Sequence, residues 1–252
     1  MLYELCAYQL RIFVRAPRTL IAAAGTPLAL IVLLAAISDH AREPGYHWRL
    51  VASMITLGVA STCYTTLAAS LVASRDTGVL KRLRATPLPL WQHVGGRVAA
   101  TVVVAVVQSV LVGVLGFALY SARPAAWAWL IAGLLLGAIA VGLIGVAVAQ
   151  LVPRGDAAAT LLSTTLLPVV LLSGVFFPVG ELPAWAAALA EASPLTHLNR
   201  LLGAAPATLT ESWTAVAVLV AWSAAALAFA LWRFRVDPLP PRTSRRDRTA
   251  PA

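Results

Sequence analysis

The sequence predicts an all-α integral membrane protein with six transmembrane helices. Three observations support this fold class: a low charge content, six long apolar blocks, and arginines concentrated on alternate loops. Of the 252 residues, 60% are hydrophobic and only 12% are charged, whereas about a quarter of the residues in a soluble domain are charged. So little charge cannot cover a globule of this size with polar surface, and we therefore expect its outside to face lipid.

Six apolar blocks are long enough to cross about 30 Å of hydrocarbon, which takes about 20 residues. The predicted spans are Thr19–Ile37, Leu50–Ala73, Val98–Tyr120, Trp127–Val152, Ala157–Phe177 and Trp213–Trp232. No Asp, Glu, Lys, Arg or His lies in the middle of any block. Proton-coupled carriers, intramembrane proteases and haem proteins need such groups at that depth, so the pattern argues against these classes.

Basic residues near the span ends predict that both termini are cytoplasmic. With the N-terminus inside, 15 of the 19 basic residues fall on cytoplasmic segments, whereas the 10 acidic residues divide evenly between the two sides. This asymmetry accounts for the net charge of +9. We therefore interpret the basic character as a topology signal and expect no nucleic-acid partner.

Four segments outside the spans complete a single transmembrane domain over residues 1–236 and its tail. Residues 1–18 carry an amphipathic stripe that is typical of a helix in the cytoplasmic interface. Residues 74–97 form a long basic inside loop. Residues 178–212 are too apolar for a solvated loop and too rich in proline for a clean span, which predicts re-entrant helices in the outer leaflet. Residues 237–252 predict a disordered cytoplasmic tail.

Gln108, in span three, is the most polar side chain in the middle of a predicted span. Hydroxyl residues lie inside spans two and five. These are Ser61, Thr62, Thr65, Thr66, Ser163, Thr164 and Thr165. Such hydroxyls usually bond to their own or a neighbouring helix, so we expect packing roles, with substrate contact as the alternative. The spacing of Gly133, Gly137, Gly142 and Gly145 in span four permits close helix approach, as at a dimer seam. The alternative is that the spacing arises by chance, as it often does in an Ala/Gly-rich membrane protein.

The chain has no Gly-Lys pair and therefore no P-loop for ATP. It also has no acid, base, nucleophile or metal set at bilayer depth. We predict that it is not an enzyme and that it has no catalytic, cofactor-binding or metal-binding residues. The energy for any transport would have to come from a partner.

The inside loop contains a short segment with an apolar ridge and basic flanks. Val79, Leu80 and Leu83 share one face of a short helix that Pro87 and Pro89 would end. Such a ridge suits docking into a groove on another protein. Attachment to anionic lipid is the alternative.

This loop resembles the cytoplasmic loop of the ABC type-2 export permeases, the membrane subunits of many bacterial ATP-binding cassette exporters. The family pattern is Glu-Arg-x-x-Gly-Thr-Leu, then a basic-Leu-basic run and Thr-Pro-Leu. Asp76 stands near the usual acidic position, and Val79 stands where Thr is common. Residues 11–19 also resemble the family's interfacial helix before span one.

A second match, downstream, resembles the family's end of span five and its outer-leaflet re-entrant helices. Its motif residues are Ser173, Gly174, Phe177, Pro178, Pro183, Trp185, Pro194 and Arg200. The matches cover both halves of the chain in the family's order.

The resemblance implies a role for each segment. A coupling helix would dock on a separate cytoplasmic ABC ATPase subunit, which would bind ATP and Mg, while this chain would hold no cofactor. The coupling residues would be Asp76, Gly78, Val79, Leu80, Lys81, Arg82, Leu83 and Arg84. Two permease chains, identical or different, would pair near span five in the lipids of the bacterial cell membrane, with the export path between them.

The implied activity is outward transport of a hydrophobic or amphipathic compound, as in multidrug efflux and antibiotic resistance. The uncharged span interiors favour such a substrate. Export of a lipid or glycolipid by the same machinery is one alternative, and a non-transporting membrane scaffold is another.

Overall fold

A computed structural model describes residues 25–33, 45–76, 90–124, 126–152, 157–177, 179–203 and 209–236. Within these ranges every regular element is helical and no strand occurs. The predicted interfacial helix (1–18) and tail (237–252) lie outside the described residues.

The described helices are numbered α1 to α8 in chain order. Helix α1 covers residues 25–33. Helix α2 runs without a break as Tyr46–Val59, a π-helical stretch Ala60–Thr66, and Leu67–Asp76. The others are α3 (Leu90–Tyr120), α4 (Trp127–Ala149), α5 (Ala157–Leu172), α6 (Ala184–Ala192), α7 (Pro194–Gly203) and α8 (Leu209–Val236).

Four of the described helices are long and apolar enough to cross a membrane. Their spanning parts are Tyr46–Arg75 in α2, Val94–Tyr120 in α3, Trp127–Ala149 in α4 and Ser212–Arg233 in α8. They confirm predicted spans two, three, four and six as apolar helices of spanning length. Only residues 25–33 of predicted span one are described, and these are helical. Helix α5 lies in predicted span five but has 16 residues, roughly 24 Å at the usual helical rise.

Helix α5 ends at Leu172, before the predicted limit of span five, because the backbone turns at the next two residues. The Ser173 N–H bonds to the Val170 carbonyl at 3.2 Å, which tightens the last turn. Gly174 then takes a φ of +77°, the left-handed conformation in which helices often end at glycine. A Cβ at Gly174 would also lie 3.0 Å from a methyl carbon of Val179. The outer segment therefore begins at this glycine.

Contacts between the helix ends define two opposite ends of the bundle. At one end, the Trp48 indole N–H of α2 donates to the Leu202 carbonyl of α7 at 2.8 Å, and aromatic rings at the starts of α4 and α8 meet edge to face at 5.8 Å. At the other end, Arg75 Nη1 of α2 donates to the Ala149 carbonyl of α4 at 2.7 Å. Segments predicted outside therefore share one end, and segments predicted inside share the other. We name these the outer and inner ends after the predicted orientation.

Helix α4 packs closely against its neighbours through glycines. A Cβ at Gly133 would lie 3.0 Å from Leu201 of α7, and a Cβ at Gly145 would lie 2.7 Å from the Cys63 carbonyl in α2. The absence of side chains lets the backbones approach. Gly133 and Gly145 therefore serve close helix packing within the chain.

Helices α6 and α7 form a short hairpin against the bundle. The indole N–H of Trp222, near the middle of α8, donates to the carbonyl of Ala192 at 3.0 Å. Ala192 is the last residue of α6, so the corner of the hairpin lies level with the middle of α8. Helix α7 then returns to the end where Trp48 meets Leu202. Most of α7 is buried between α2, α4 and α8.

Candidate functional site

The predicted coupling segment is described only at its first residue, Asp76, which ends α2. The remaining coupling residues, Gly78, Val79, Leu80, Lys81, Arg82, Leu83 and Arg84, lie outside the described residues. The helix ends that flank them are tied to the bundle by guanidinium groups. Arg97 Nη1 of α3 donates to the Ser70 carbonyl of α2 at 3.0 Å, in addition to the bond from Arg75 to α4. The loop therefore connects the end of α2, which is bonded to α4, with the start of α3, which is bonded to α2.

Gln108 of α3 lies in the centre of the bundle and is 4% exposed. Its Oε1 accepts a hydrogen bond from the Thr62 hydroxyl at 2.7 Å. Gly58 makes room for the amide, because a Cβ there would lie 2.7 Å from Gln108 Nε2. Thr62 belongs to the π-helical stretch of α2, and such stretches occur frequently at functional sites. A buried polar bond thus joins α3 to the irregular part of α2.

The same π-helical stretch presents hydroxyls to α5. Tyr64 Oη and Thr165 Oγ1 lie 2.8 Å apart at the protein surface. The Ser61 hydroxyl donates to the Leu57 carbonyl of its own helix at 2.9 Å, and Thr165 also donates to its own helix. The Ser61 and Thr165 hydroxyls therefore bond to their own or a neighbouring helix, as predicted. Thr65 differs, because its Oγ1 is buried and has no hydrogen-bond partner in the described part of the chain.

The rest of α5 exposes a mixed surface that we call the α5 face. Its exposed side chains are Thr160, Leu161, Ser163, Thr164, Thr165, Leu167, Pro168, Val169 and Leu171. Hydroxyls offer uncharged hydrogen bonding, and the leucine, valine and proline side chains offer apolar contact. This face suits a partly apolar ligand or another apolar protein surface.

At the outer end of α5, the side chain of Asn199 joins three elements. Asn199 Nδ2 of α7 donates to the Gly174 carbonyl at 3.0 Å. Its Oδ1 lies 3.3 Å from the hydroxyls of Ser53 and Thr56 on α2. Asn199 was not among the predicted site residues, although it is the only asparagine in the chain. Only the folded arrangement brings its partners together.

The residues of the outer motif mainly shape the chain around this point. The Ser173 hydroxyl is buried and donates to the Val170 carbonyl at 2.7 Å. Pro183 immediately precedes α6 and Pro194 begins α7, positions where a missing N–H costs no helical bond. Pro178 lies outside the described residues.

Two aromatic residues of the motif are exposed. Phe177 is 55% and Trp185 is 68% exposed. Large aromatic side chains at the end of a membrane bundle are typical of the membrane–water interface.

Arg200 pairs with Glu191 across the hairpin. Arg200 Nη1 donates to Glu191 Oε2 at 2.7 Å, and Nη2 contacts the other carboxylate oxygen. The hydrogen bond from Arg200 lowers the pKa of the Glu191 carboxyl, while partial burial acts in the opposite direction. Both side chains are about half exposed on the surface of the bundle, 45% and 51%.

The last three carbonyls of α6 all have partners, although the carbonyls at a helix C-terminus lack partners within the helix. The partners are the Ser193 N–H for Ala190 (3.0 Å), His197 Nε2 for Glu191 (2.8 Å) and the Trp222 indole N–H for Ala192 (3.0 Å). Backbone groups at membrane depth must be satisfied by protein. The corner of the hairpin meets this requirement.

Comparison with known proteins gives one family and two curated relatives. The sequence model of the family described as ABC-2 type transporter matches residues 2–205. Two proteins named "Probable multidrug ABC transporter permease YbhR", from Escherichia coli strain K12 and from Escherichia coli O157:H7, are each 26% identical over 202 residues. The matches cover 76% of this chain and 54% of each relative. The chain thus spans about half the length of the curated relatives it matches.

Proposed function

The chain belongs to the ABC-2 type transporter family, and on that premise we propose that it is the permease subunit of an exporter. It moves a hydrophobic or amphipathic, drug-like compound out of a bacterial cell. The observation that carries this proposal is the family match over residues 2–205, which includes both the basic loop and the outer hairpin. The two relatives are named as probable multidrug permeases, which supports the substrate class.

Energy comes from a separate cytoplasmic ABC ATPase subunit that binds ATP and Mg. It docks on the coupling segment that follows Asp76. The bonds from Arg75 to α4 and from Arg97 to α2 support this role, because a force applied to the loop is passed directly to the bundle. The end of the molecule that holds Arg75 and Arg97 then faces the cytoplasm, as do both termini.

A second permease chain, identical or different, covers the α5 face. Helix α5 is mostly exposed along its length, and hydroxyls on a lipid-facing helix would gain nothing from lipid tails. The export path lies between the two chains. Uncharged hydroxyls beside leucine side chains support a neutral or amphipathic substrate.

The α6–α7 hairpin enters the outer leaflet and returns to the same side. The depth of its corner beside Trp222 and the pairing of the last three α6 carbonyls support this position. Water is scarce at such a depth, so unpaired carbonyls there would cost several kcal/mol each.

Transport in vesicles tests the function. The chain is co-purified with its ATPase and placed in inside-out vesicles with ethidium as an amphipathic probe. We expect ATP-dependent ethidium accumulation and ethidium-stimulated ATP hydrolysis. Leu80→Asp and Leu83→Asp are expected to abolish the stimulation, because a carboxylate on the apolar ridge opposes docking. Leu151→Asp serves as the control, because it alters a leucine that is 65% exposed at the same end of the bundle. We expect this variant to retain ethidium-stimulated ATP hydrolysis.

Three outcomes contradict the proposal or parts of it. Normal stimulation in both ridge variants would refute the docking role of the loop. ATP-dependent movement of a fluorescent phospholipid, with none of ethidium, would identify a lipid exporter. A complex that moves neither probe would point to a scaffold.

A further inference from the structure

Asn199 occupies the point where three separate parts of the outer half of the bundle meet. Asn199 lies on α7. Its amide N–H donates to the Gly174 carbonyl, which follows α5, and its amide oxygen accepts a hydrogen bond from the Ser53 hydroxyl of α2. From this geometry we infer that Asn199 is a positioning residue that makes the outer end of α5 follow the movement of α2. The inference rests on the proposed function for its consequence, and on the contacts alone for its structural part.

The orientation of the Asn199 amide follows from the chemistry of its partners. A carbonyl only accepts hydrogen bonds, so the amide nitrogen must face Gly174 and the amide oxygen must face α2. The Thr56 hydroxyl has one proton, and its closer acceptor is the Ala52 carbonyl at 2.9 Å. Ser53, at 3.3 Å from Asn199 Oδ1, is therefore the principal donor from α2. The Asn199 amide N–H thus binds the turn after α5, and the amide oxygen binds α2.

Few other polar bonds hold α5 to the bundle. In the described ranges, the Tyr64 hydroxyl of α2 forms a hydrogen bond with Thr165 in the middle of α5. The inner part of α5 packs against the bundle through the apolar side chains of Ala158 and Leu162. At the outer end, Val170 and Val175 are buried in the main core, and the Asn199 bond to the Gly174 carbonyl adds a polar attachment. Breaking this bond leaves a mostly exposed helix without its outer polar attachment.

Helix α2 is continuous from the outer end to Asp76, where the coupling segment begins. A displacement of the inner end of α2 is therefore carried along one helix to Ser53. Through Asn199 it reaches the turn at Gly174, whose positive φ directs the backbone away from α5. The amide is thus the link between the ATPase-facing loop and the outer end of the helix that lines the proposed path.

Hydrogen exchange of the full-length chain in lipid nanodiscs tests the structural part. Asn199→Ala removes both bonds. Asn199→Asp keeps an acceptor for Ser53 but, when ionised, has no hydrogen for the Gly174 carbonyl. We expect exchange in residues 173–177 to rise by up to about tenfold in both variants, the consequence of losing one partly buried hydrogen bond. Ser53→Ala should give a smaller rise.

Ser223→Ala is the matched control, since the Ser223 hydroxyl donates only to the Leu219 carbonyl of its own helix, at 2.7 Å. Its exchange in residues 173–177 should equal that of the wild type. If the two Asn199 variants behave like this control, Asn199 does not hold the turn and the inference is wrong.

The ratio of ethidium exported to ATP hydrolysed tests the consequence. A purely structural loss lowers export and hydrolysis in proportion, whereas loss of the link lowers export while hydrolysis continues. We expect the ratio to fall about tenfold in Asn199→Asp, and an unchanged ratio would overturn the positioning role. Failure of the proposed function appears differently, as a wild-type complex without ATP-dependent ethidium export. The exchange comparison needs no substrate and still decides whether Asn199 holds the turn.

Discussion

The indole N–H of Trp222 provides the most direct test of how deep the α6–α7 corner lies. It donates to the Ala192 carbonyl at 3.0 Å, and Ala192 ends α6. Trp222→Phe keeps an aromatic ring on α8 but removes the donor. The carbonyl at the corner of the hairpin then loses the partner that the structure assigns to it.

The expected cost follows from what replaces that donor. Hydrogen bonds between membrane helices contribute about 0.6 kcal/mol on average and up to about 1.7 kcal/mol. A carbonyl left unpaired away from water costs about 1–3 kcal/mol. Trp222 is 40% exposed on the surface of the bundle. We therefore expect Trp222→Phe to lower the unfolding free energy by about 1 kcal/mol, which lies between these two cases. In a chain of this size, that lowers the unfolding midpoint by about 2–4 °C.

Thermal unfolding of the chain in lipid nanodiscs measures this effect. Trp127→Phe is the control, because Trp127 is 66% exposed at the start of α4 and loses a comparable ring area. A midpoint for Trp222→Phe equal to that of the control would refute the reasoning. In that case water would replace the lost donor, and the corner would lie outside the hydrocarbon.

Three further predictions concern packing, charge and the central polar bond. Gly145→Ala places a Cβ 2.7 Å from a backbone carbonyl of the π-helical stretch, and we expect a loss of about 1–3 kcal/mol in unfolding free energy. Gly113→Ala, with nothing within 4 Å, should not destabilise the protein. Arg200 lowers the pKa of Glu191 below its unfolded value of 4.5. The Arg200–Glu191 pair therefore stabilises the folded state above pH 4.5, and this stabilisation is lost as the pH falls further. The unfolding midpoint of Glu191→Gln should accordingly lack this acid-dependent loss. Gln108→Leu removes the acceptor of a buried hydroxyl and should cost about 1–2 kcal/mol, measured by thermal unfolding; an unchanged midpoint would contradict its structural role.

The long spans were predictable because apolar length depends on composition alone. Predicted span four and helix α4 both begin at Trp127, and α3 ends at the predicted residue, Tyr120. Helix α5 was less predictable, since the apolar run continues to Phe177 while the helix stops at Leu172. The end of α5 depends on the conformation of Gly174, and the Gly174 carbonyl accepts a hydrogen bond from Asn199 of α7.

The candidate site was predictable only where local sequence carries it. The coupling residues after Asp76 stay a prediction, as does the docking role assigned to them. The π-helical stretch has an ordinary mixture of Ser, Thr, Tyr and Cys, and its irregular backbone lies against Gly145 of α4. Asn199 has no distinctive local pattern. Its importance arises from partners that are 25 and 146 residues away in the chain.

The distribution of polar bonds determines how the bundle responds to a force. Helix α2 is bonded near its inner end through Arg75, in its middle through Thr62, and in its outer half through Ser53. It therefore moves with α3, α4 and α7. Helix α5, by contrast, exposes most of its length and meets that group through few polar contacts. A force at the loop between α2 and α3 is thus expected to move α2, α3, α4 and α7 together, and we propose that the Asn199 amide makes the outer end of α5 move with them.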